Sequence, residues 1–211
     1  LAALGIVVLQ GSPHFLNRQT LAAGEHRIRA RRFVIATGSQ PALPPVPGLA
    51  ELPYLTGETL PELPRRPERL LVLGGEPAGV ALAQAMRRLG SEVALVLAGS
   101  VLSQEDPEAA DLVRRALLRD GIELHEERAV LRAETARHRP RLVLAAQPGG
   151  AETTIEGTHL LVASGRTPRL DGLDLDLAGI SGDAGGIAVD RGLRTANRRV
   201  FAIGDCASIA G

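Results

Sequence analysis

The sequence predicts an α/β fold, a doubly wound parallel sheet with a small antiparallel meander, and three observations carry that prediction. The apolar run Arg69-Leu70-Leu71-Val72-Leu73 leads through a glycine-rich turn into a helix-patterned stretch. Two further apolar runs follow with a second helix between them, so the order is strand, helix, strand, helix, strand. On either side of this block the pattern shortens to strand-length pieces bounded by turn residues.

Taken in order, Leu1-Ala2-Ala3-Leu4 is helix-like and Ile6-Val7-Val8-Leu9 is a strand-length apolar run. Phe15 to Leu21 straddles a turn, and Arg32 to Ala36 is another strand candidate. From Pro41 to Pro67 the chain carries eight of its fourteen prolines. Proline fixes φ and removes a donor, so this stretch is an extended crossover and marks a domain boundary. After the strand at 69–73, Val80 to Leu89 reads as a helix ended by Gly90. Val93 to Leu97 is a second strand. Asp106-Pro107-Glu108 supplies an N-cap, an N1 proline and an acidic first turn for a helix to about Arg119, and Gly121 ends it before a third strand at Ile122-Glu123-Leu124. Strand pieces return at Ala129–Leu131, Arg141–Leu144 and His159–Ala163, with Pro148-Gly149-Gly150 as a turn among them. Ile187–Val189 and Arg199–Ile203 complete the set.

Composition bounds what such a fold can do. The 211 residues are 45% hydrophobic with a formal net charge of zero, enough for proper cores and without the basic footprint of a nucleic-acid or anionic-membrane binder. Phe15, Phe33, Tyr54 and Phe201 are too few aromatics for a base-stacking platform. Every basic residue is arginine, which excludes a P-loop lysine and a Schiff base. No apolar run approaches the roughly 18 residues of a membrane span. A single cysteine, Cys206, makes no internal disulfide, and a cytoplasmic protein is the default expectation. The five histidines show no metal-ligand spacing, so neither a metal site nor a catalytic residue is expected.

Four motifs carry the functional reading. The first is the turn Gly74-Gly75-Glu76-Pro77-Ala78-Gly79 between strand and helix, where glycines admit a pyrophosphate to a helix N-terminus. Gly74 and Gly79 occupy the first and third glycine positions and Glu76 the second. Ala36-Thr37-Gly38-Ser39, Gly165-Arg166-Thr167-Pro168 and Phe201-Ala202-Ile203-Gly204-Asp205 each follow a strand. Singly, each is an ordinary strand-ending turn.

Together and in this order they resemble the flavin-dependent pyridine nucleotide-disulfide oxidoreductases, the family of dihydrolipoamide dehydrogenase and mercuric reductase, over essentially the whole chain. The resemblance implies a Rossmann-like nicotinamide domain at 58–167, inserted between two pieces of an FAD-binding domain at 1–57 and 168–211. It implies that Thr37 and Gly38 lie beside FAD, that the Asp205 carboxylate after Gly204 holds a flavin hydroxyl, and that Gly165 and Arg166 form the return crossing. Gly74, Gly75, Glu76 and Gly79 would form the NAD(P)H turn. In the longer parent, hydride would pass from NAD(P)H to FAD and on to a disulfide or small-molecule acceptor, in a homodimer built through a C-terminal domain that this sequence lacks. The piece alone, without a redox cysteine pair or an acid–base histidine, is expected to be inactive.

The departures are specific. Glu76 replaces the second glycine, Ala81 stands where relatives often carry a glutamate, and Leu97 occupies the position whose acid would hold a ribose 2′-hydroxyl. No arginine follows Leu97 until Arg114, so a 2′-phosphate clamp is not evident, and only Ser100 and Ser103 offer small dipoles. Weak discrimination between NAD and NADP is the expectation. Two rival readings stay open: a degenerate member that binds nicotinamide poorly, and a nucleotide-sensing Rossmann domain.

Overall fold

A computed structural model of the chain describes residues 2–146 and 150–209. Contacts divide the chain into two units, Leu1–Gln40 with Arg166–Gly211, and Pro41–Gly165. Residues 41–57 therefore group with the central unit, where Leu49 and Leu52 are buried in its core.

The outer unit begins with β1 (Pro13–Asn17), β2 (Thr20–Ala23) and β3 (His26–Arg29), an antiparallel sheet in that order. β4 (Phe33–Ile35) and β5 (Ser39–Pro41) follow. The strand expected at Ile6–Leu9 is not formed, and Val7 and Val8 stand 80% and 64% exposed. A strand needs a partner for its N–H and C=O groups, and none of the described strands pairs with this run.

The central unit runs β6 (Arg69–Leu73), α1 (Pro77–Arg88), β7 (Glu92–Val96), α2 (Pro107–Arg119) and β8 (Glu123–His125), then β9 (Val130–Ala136), β10 (Arg139–Leu144), β11 (Thr153–Glu156) and β12 (His159–Val162). A parallel sheet has the order β12-β6-β7-β8. Side chains alternate across a strand, and here both faces are covered, which is why these strands read as unbroken apolar runs. Leu70, Val72, Val93 and Leu95 pack with Val80, Ala83 and Met86 of α1 and Leu117 of α2. Leu71, Leu73, Ala94 and Val96 pack with Ala133, Leu142, Leu144 and Ile155 of the antiparallel sheet β11-β10-β9. Both helices thus share one face and the meander covers the other.

His159–Val162 belongs to the parallel sheet rather than to the meander, whose third strand is β11, unread in the sequence. Of the expected turn at 148–150, residues 148 and 149 lie outside the described residues.

Both helices stop before the expected glycines, and α2 starts at its expected cap. The Asp106 carboxylate accepts from the N–H groups of Glu108 (2.8 Å) and Ala109 (3.3 Å), capping α2. Helix α1 begins at Pro77, three residues before the sequence pattern marked it. At its end Ser91 N–H donates to Met86 O and Gly90 N–H to Arg87 O, a double bond pattern repeated by Ile122 to Leu117 and Gly121 to Leu118 after α2.

The two helices are tied through Asp120, which accepts from Gln84 Nε2 and Arg88 Nε, both at 2.9 Å. The hydrogen bond from Gln84, then that from Arg88, holds the Asp120 carboxyl below its ordinary value of 3.8. A depressed folded-state value contributes stability that is complete above the ordinary value and is lost as pH falls through the folded one. Asp120→Asn is therefore expected to melt below wild type at neutral pH, with the gap closing as pH drops below about 3.8. A gap that is constant with pH would assign the effect to lost packing.

The outer unit resumes with β13 (Arg166–Pro168), β14 (Gly182–Asp183), β15 (Gly186–Val189), β16 (Val200–Ala202) and β17 (Ala207–Ile209). β13 pairs with β5, β16 runs parallel to β4, and β14-β15-β17 form a further small sheet. Phe15, Ile35, Leu173, Ile180, Ile187, Val189 and Val200 form its core. The buried Asn197 amide donates to Arg18 O and Ala178 O, satisfying two loop carbonyls that apolar residues could not.

Candidate cofactor sites

In the central unit the carboxyl ends of all four parallel strands open on one cleft of 580 Å³. Leu73 to Pro77 line it after β6, Val96 to Ser100 after β7, Arg128 and Val130 after β8, and Ser164 after β12. This is where open α/β sheets take ligands, because each strand end releases the chain into a loop.

Gly74 is required there by its neighbours. Its φ is +132°, and a Cβ would collide with the carbonyl of Ala163. Gly79 has a different role: a Cβ there would lie 3.0 Å from Ala163 Cβ and 3.1 Å from Gly74 O, so its absence lets α1 settle against the end of β12. At Gly75 a Cβ would meet Leu97 Cδ2 at 3.0 Å. Glu76 is the N-cap residue of α1 in extended conformation, but its side chain makes no capping hydrogen bond. Pro77 has no N–H to cap. The Glu76 carboxylate lies instead over Gly165, where an added Cβ would be 2.9 Å from Oε1.

Leu97 is 1% exposed and belongs to the core. Its N–H donates to His125 O and its carbonyl accepts from Arg128 N–H. The residue at the expected ribose-reading position therefore forms part of the cleft floor. The sequence reading missed Arg128, which reaches the cleft from the loop after β8.

In the outer unit, three of the sequence motifs meet in one hydrogen-bonded set. Ser39 Oγ donates to Asp205 Oδ2 at 2.6 Å and accepts from Arg166 Nε at 2.7 Å. Arg166 Nη2 also donates to Ser39 O at 2.8 Å. Arg169 N–H donates to Gly38 O, fixing the turn that presents Thr37. Thr37 Oγ1 is buried without a hydrogen-bond partner among the described residues, an unmet capacity that a polar ligand group would satisfy. Gly204 has φ +73°, with open space where a Cβ would project. Ser39 is the link that sequence spacing could not reveal, since it lies 166 residues from Asp205. Cys206 is fully buried, its Sγ 3.2 Å from Ile203 O and 3.5 Å from Ile35 O, in keeping with a small packed residue.

No helix among the described residues is long and apolar enough to cross a membrane.

Comparison with known proteins agrees with this arrangement. The profile of the family described as pyridine nucleotide-disulphide oxidoreductase matches residues 2–210. The mercuric reductase of Lysinibacillus sphaericus is 36% identical over 200 residues, covering 94% of this chain and 36% of that protein. The dihydrolipoyl dehydrogenase of Thermus scotoductus is 34% identical over 211 residues, covering 96% of this chain and 44% of its own. Among solved structures, the HOCl-induced flavoprotein disulfide reductase RclA of Escherichia coli superposes with a TM-score of 0.87 at 29% identity, over 95% of this chain and 46% of that one. The chain thus spans less than half the length of these relatives. Members of the family use FAD and NAD(P)H. By its sequence motifs, its fold and these likenesses, the chain belongs to the pyridine nucleotide-disulphide oxidoreductase family.

Proposed function

We propose that the chain carries the nicotinamide-binding unit and part of the flavin-binding unit of a flavoprotein oxidoreductase. Bound together, the two cofactors supply hydride transfer from NAD(P)H to FAD and onward to a disulfide or metal-ion acceptor; the protein supplies orientation and electrostatics. We assign the nicotinamide role to the central unit and the flavin role to the outer one.

The observation that carries the reading is the set Arg166–Ser39–Asp205 beside the unmet Thr37 hydroxyl. Arg166 orients Ser39, Ser39 fixes one Asp205 oxygen, and an ionised carboxylate can accept further bonds from a polyol. In the central unit, the first turn of α1 has no side-chain cap, which leaves its N–H groups to a pyrophosphate. Gly74 and Gly75 keep the approach to that turn open.

The sequence contains one glycine-rich strand–turn–helix, and the central unit takes it. Purified protein is therefore expected to carry no stoichiometric flavin, while fluorescence titration with NADH or NADPH saturates. A stable yellow protein with a full flavin spectrum would overturn the partial-site assignment. Failure of both nicotinamide nucleotides to saturate would overturn the central one. A second reading, a degenerate member with impaired nicotinamide binding, draws on Glu76 at the turn, and substitution of that residue separates the two.

A further inference from the structure

We propose that Arg128 selects the phosphorylated nicotinamide nucleotide, by meeting the 2′-phosphate of its adenosine ribose. The inference rests on the assignment of the central cleft to NAD(P)H and adds the residue that sets the choice between the two forms.

Arg128 is 9% exposed, yet among the described residues it has no carboxylate partner. Among the described residues its side chain makes one hydrogen bond, from Nη2 to Thr153 Oγ1 at 2.9 Å, and Nε has no partner. A guanidinium cannot shed its proton to escape burial. A buried charge is costly unless it is paired and hydrogen-bonded, so an anion at this guanidinium would relieve that cost. Arg128 lines the central cleft, so the place left for that anion is where a ligand enters.

Its position in the fold says which anion. Arg128 N–H donates to Leu97 O at 2.9 Å, and Glu127 N–H donates to Gly99 O at 3.0 Å. These bonds clamp the segment around Arg128 against the end of β7, the strand end beside which a bound dinucleotide places its adenosine ribose. An acid there would accept the 2′-hydroxyl of NAD and repel a 2′-phosphate. Leu97, buried in the core, does neither. Ser100 and Ser103 line the same cleft and add hydroxyl donors.

The other charges of the cleft are Glu76 and Glu105. Glu76 lies at the α1 turn over Gly165, where the pyrophosphate and not the ribose is expected. Glu126, on the segment before Arg128, is held by Arg114 Nε at 2.6 Å and Val101 N–H at 3.1 Å. Arg114 is thus paired already, which leaves Arg128 as the cation of the cleft among the described residues. Both guanidinium forks match phosphate geometry, but one has a carboxylate and the other does not.

The test is calorimetric titration of the 211-residue chain with NADPH and with NADH, repeated at two salt concentrations. Wild type is expected to bind NADPH at least about tenfold tighter, with the preference shrinking at high salt. Arg128→Gln should bring the two affinities within about threefold by weakening NADPH alone, and Arg128→Lys should retain part of the preference. Thr153→Val, which frees the guanidinium without removing its charge, should keep NADPH preferred. Equal affinities in wild type, or an Arg128→Gln ratio unchanged from wild type, overturns the proposal while leaving nicotinamide binding in place. If Arg128→Gln does not fold, the wild-type ratio and its salt dependence still decide. If neither nucleotide binds wild type, the cleft assignment falls and this proposal with it.

Discussion

Gly74→Ala is expected to lower the melting temperature by on the order of 10 °C, or to prevent the central unit from folding at all. The methyl group would sit on the carbonyl of Ala163 and 2.8 Å from Ser164 N. Those are backbone atoms at the end of β12, held in the parallel ladder to β6 by four residue pairs, so they cannot yield as a side-chain tip would. Overpacking of this kind costs about 1–3 kcal/mol. Holding an L-residue at φ +132° adds roughly 1–3 kcal/mol of strain. Several kcal/mol is a large share of a domain stability of about 5–15 kcal/mol, and each kcal/mol shifts the midpoint of a chain this long by roughly 2–4 °C. Gly24→Ala is the control, because Gly24 has φ +59° with nothing within 4 Å, and it should show the smaller cost of strain alone. Thermal melts of both proteins decide; equal losses would show that the contact with Ala163 relaxes freely. The same close approach brings Ser164 to the cleft beside Gly74, so it is a requirement of the site as much as of the fold.

Glu76→Gly is expected to tighten NAD(P)H binding at least about tenfold, near 1.4 kcal/mol. The carboxylate stands at the mouth of the α1 turn and lines the cleft with Gly74 and Gly75. At an effective dielectric near 20 and about 4 Å, a like-charge pair costs on the order of 4 kcal/mol. Glu76 is exposed, so screening removes much of this, and a quarter of it already weakens binding severalfold. Its removal loses no cap, because the side chain caps nothing. It does lose a favourable charge at a helix N-terminus, roughly 0.3–1 kcal/mol of fold stability. Glu76→Gln separates charge from bulk: if it recovers most of the gain, repulsion is the cause. Calorimetric titration of the three proteins is the measurement. Equal affinities would sink the proposal, and tight binding by wild type would remove the main support for the degenerate reading.

What the sequence disclosed and what it hid follow from the range of the interactions involved. Leu70 to Leu73 and Val93 to Val96 were legible because burial on both faces leaves an unbroken apolar run. Asp106 was legible because a cap bonds two and three residues ahead. Ile6–Leu9 carried the same apolar signal as a strand, but pairing is a property of two segments and no partner arrived. The hairpin between β9 and β10 turns through Arg137 and His138, both with positive φ. Such turns are signalled by asparagine or glycine, so this one left no mark. Leu97 was legible as following β7, but nothing along the chain could say that its side chain is buried. Arg128 was not legible because neighbouring strand ends, not sequence spacing, bring its backbone to Leu97.

The position of β12 beside β6 sets the order in which the central unit can be completed. Its partner strand lies 89 residues earlier in the chain, so the inner edge of β6 waits while the two helices, β8 and the meander are made. As flexible chain, a loop of that length would cost about 4 kcal/mol to close beyond a constant, and elements formed within it lower that cost. That cost is offset when Leu160, Leu161 and Val162 pair with Leu71, Val72 and Leu73. Until then one edge of β6 offers a row of free amides and carbonyls beside leucine side chains, the template on which chains aggregate. The last strand of the unit is thus expected to dock late, through the residues that lead to Ser164 at the cleft.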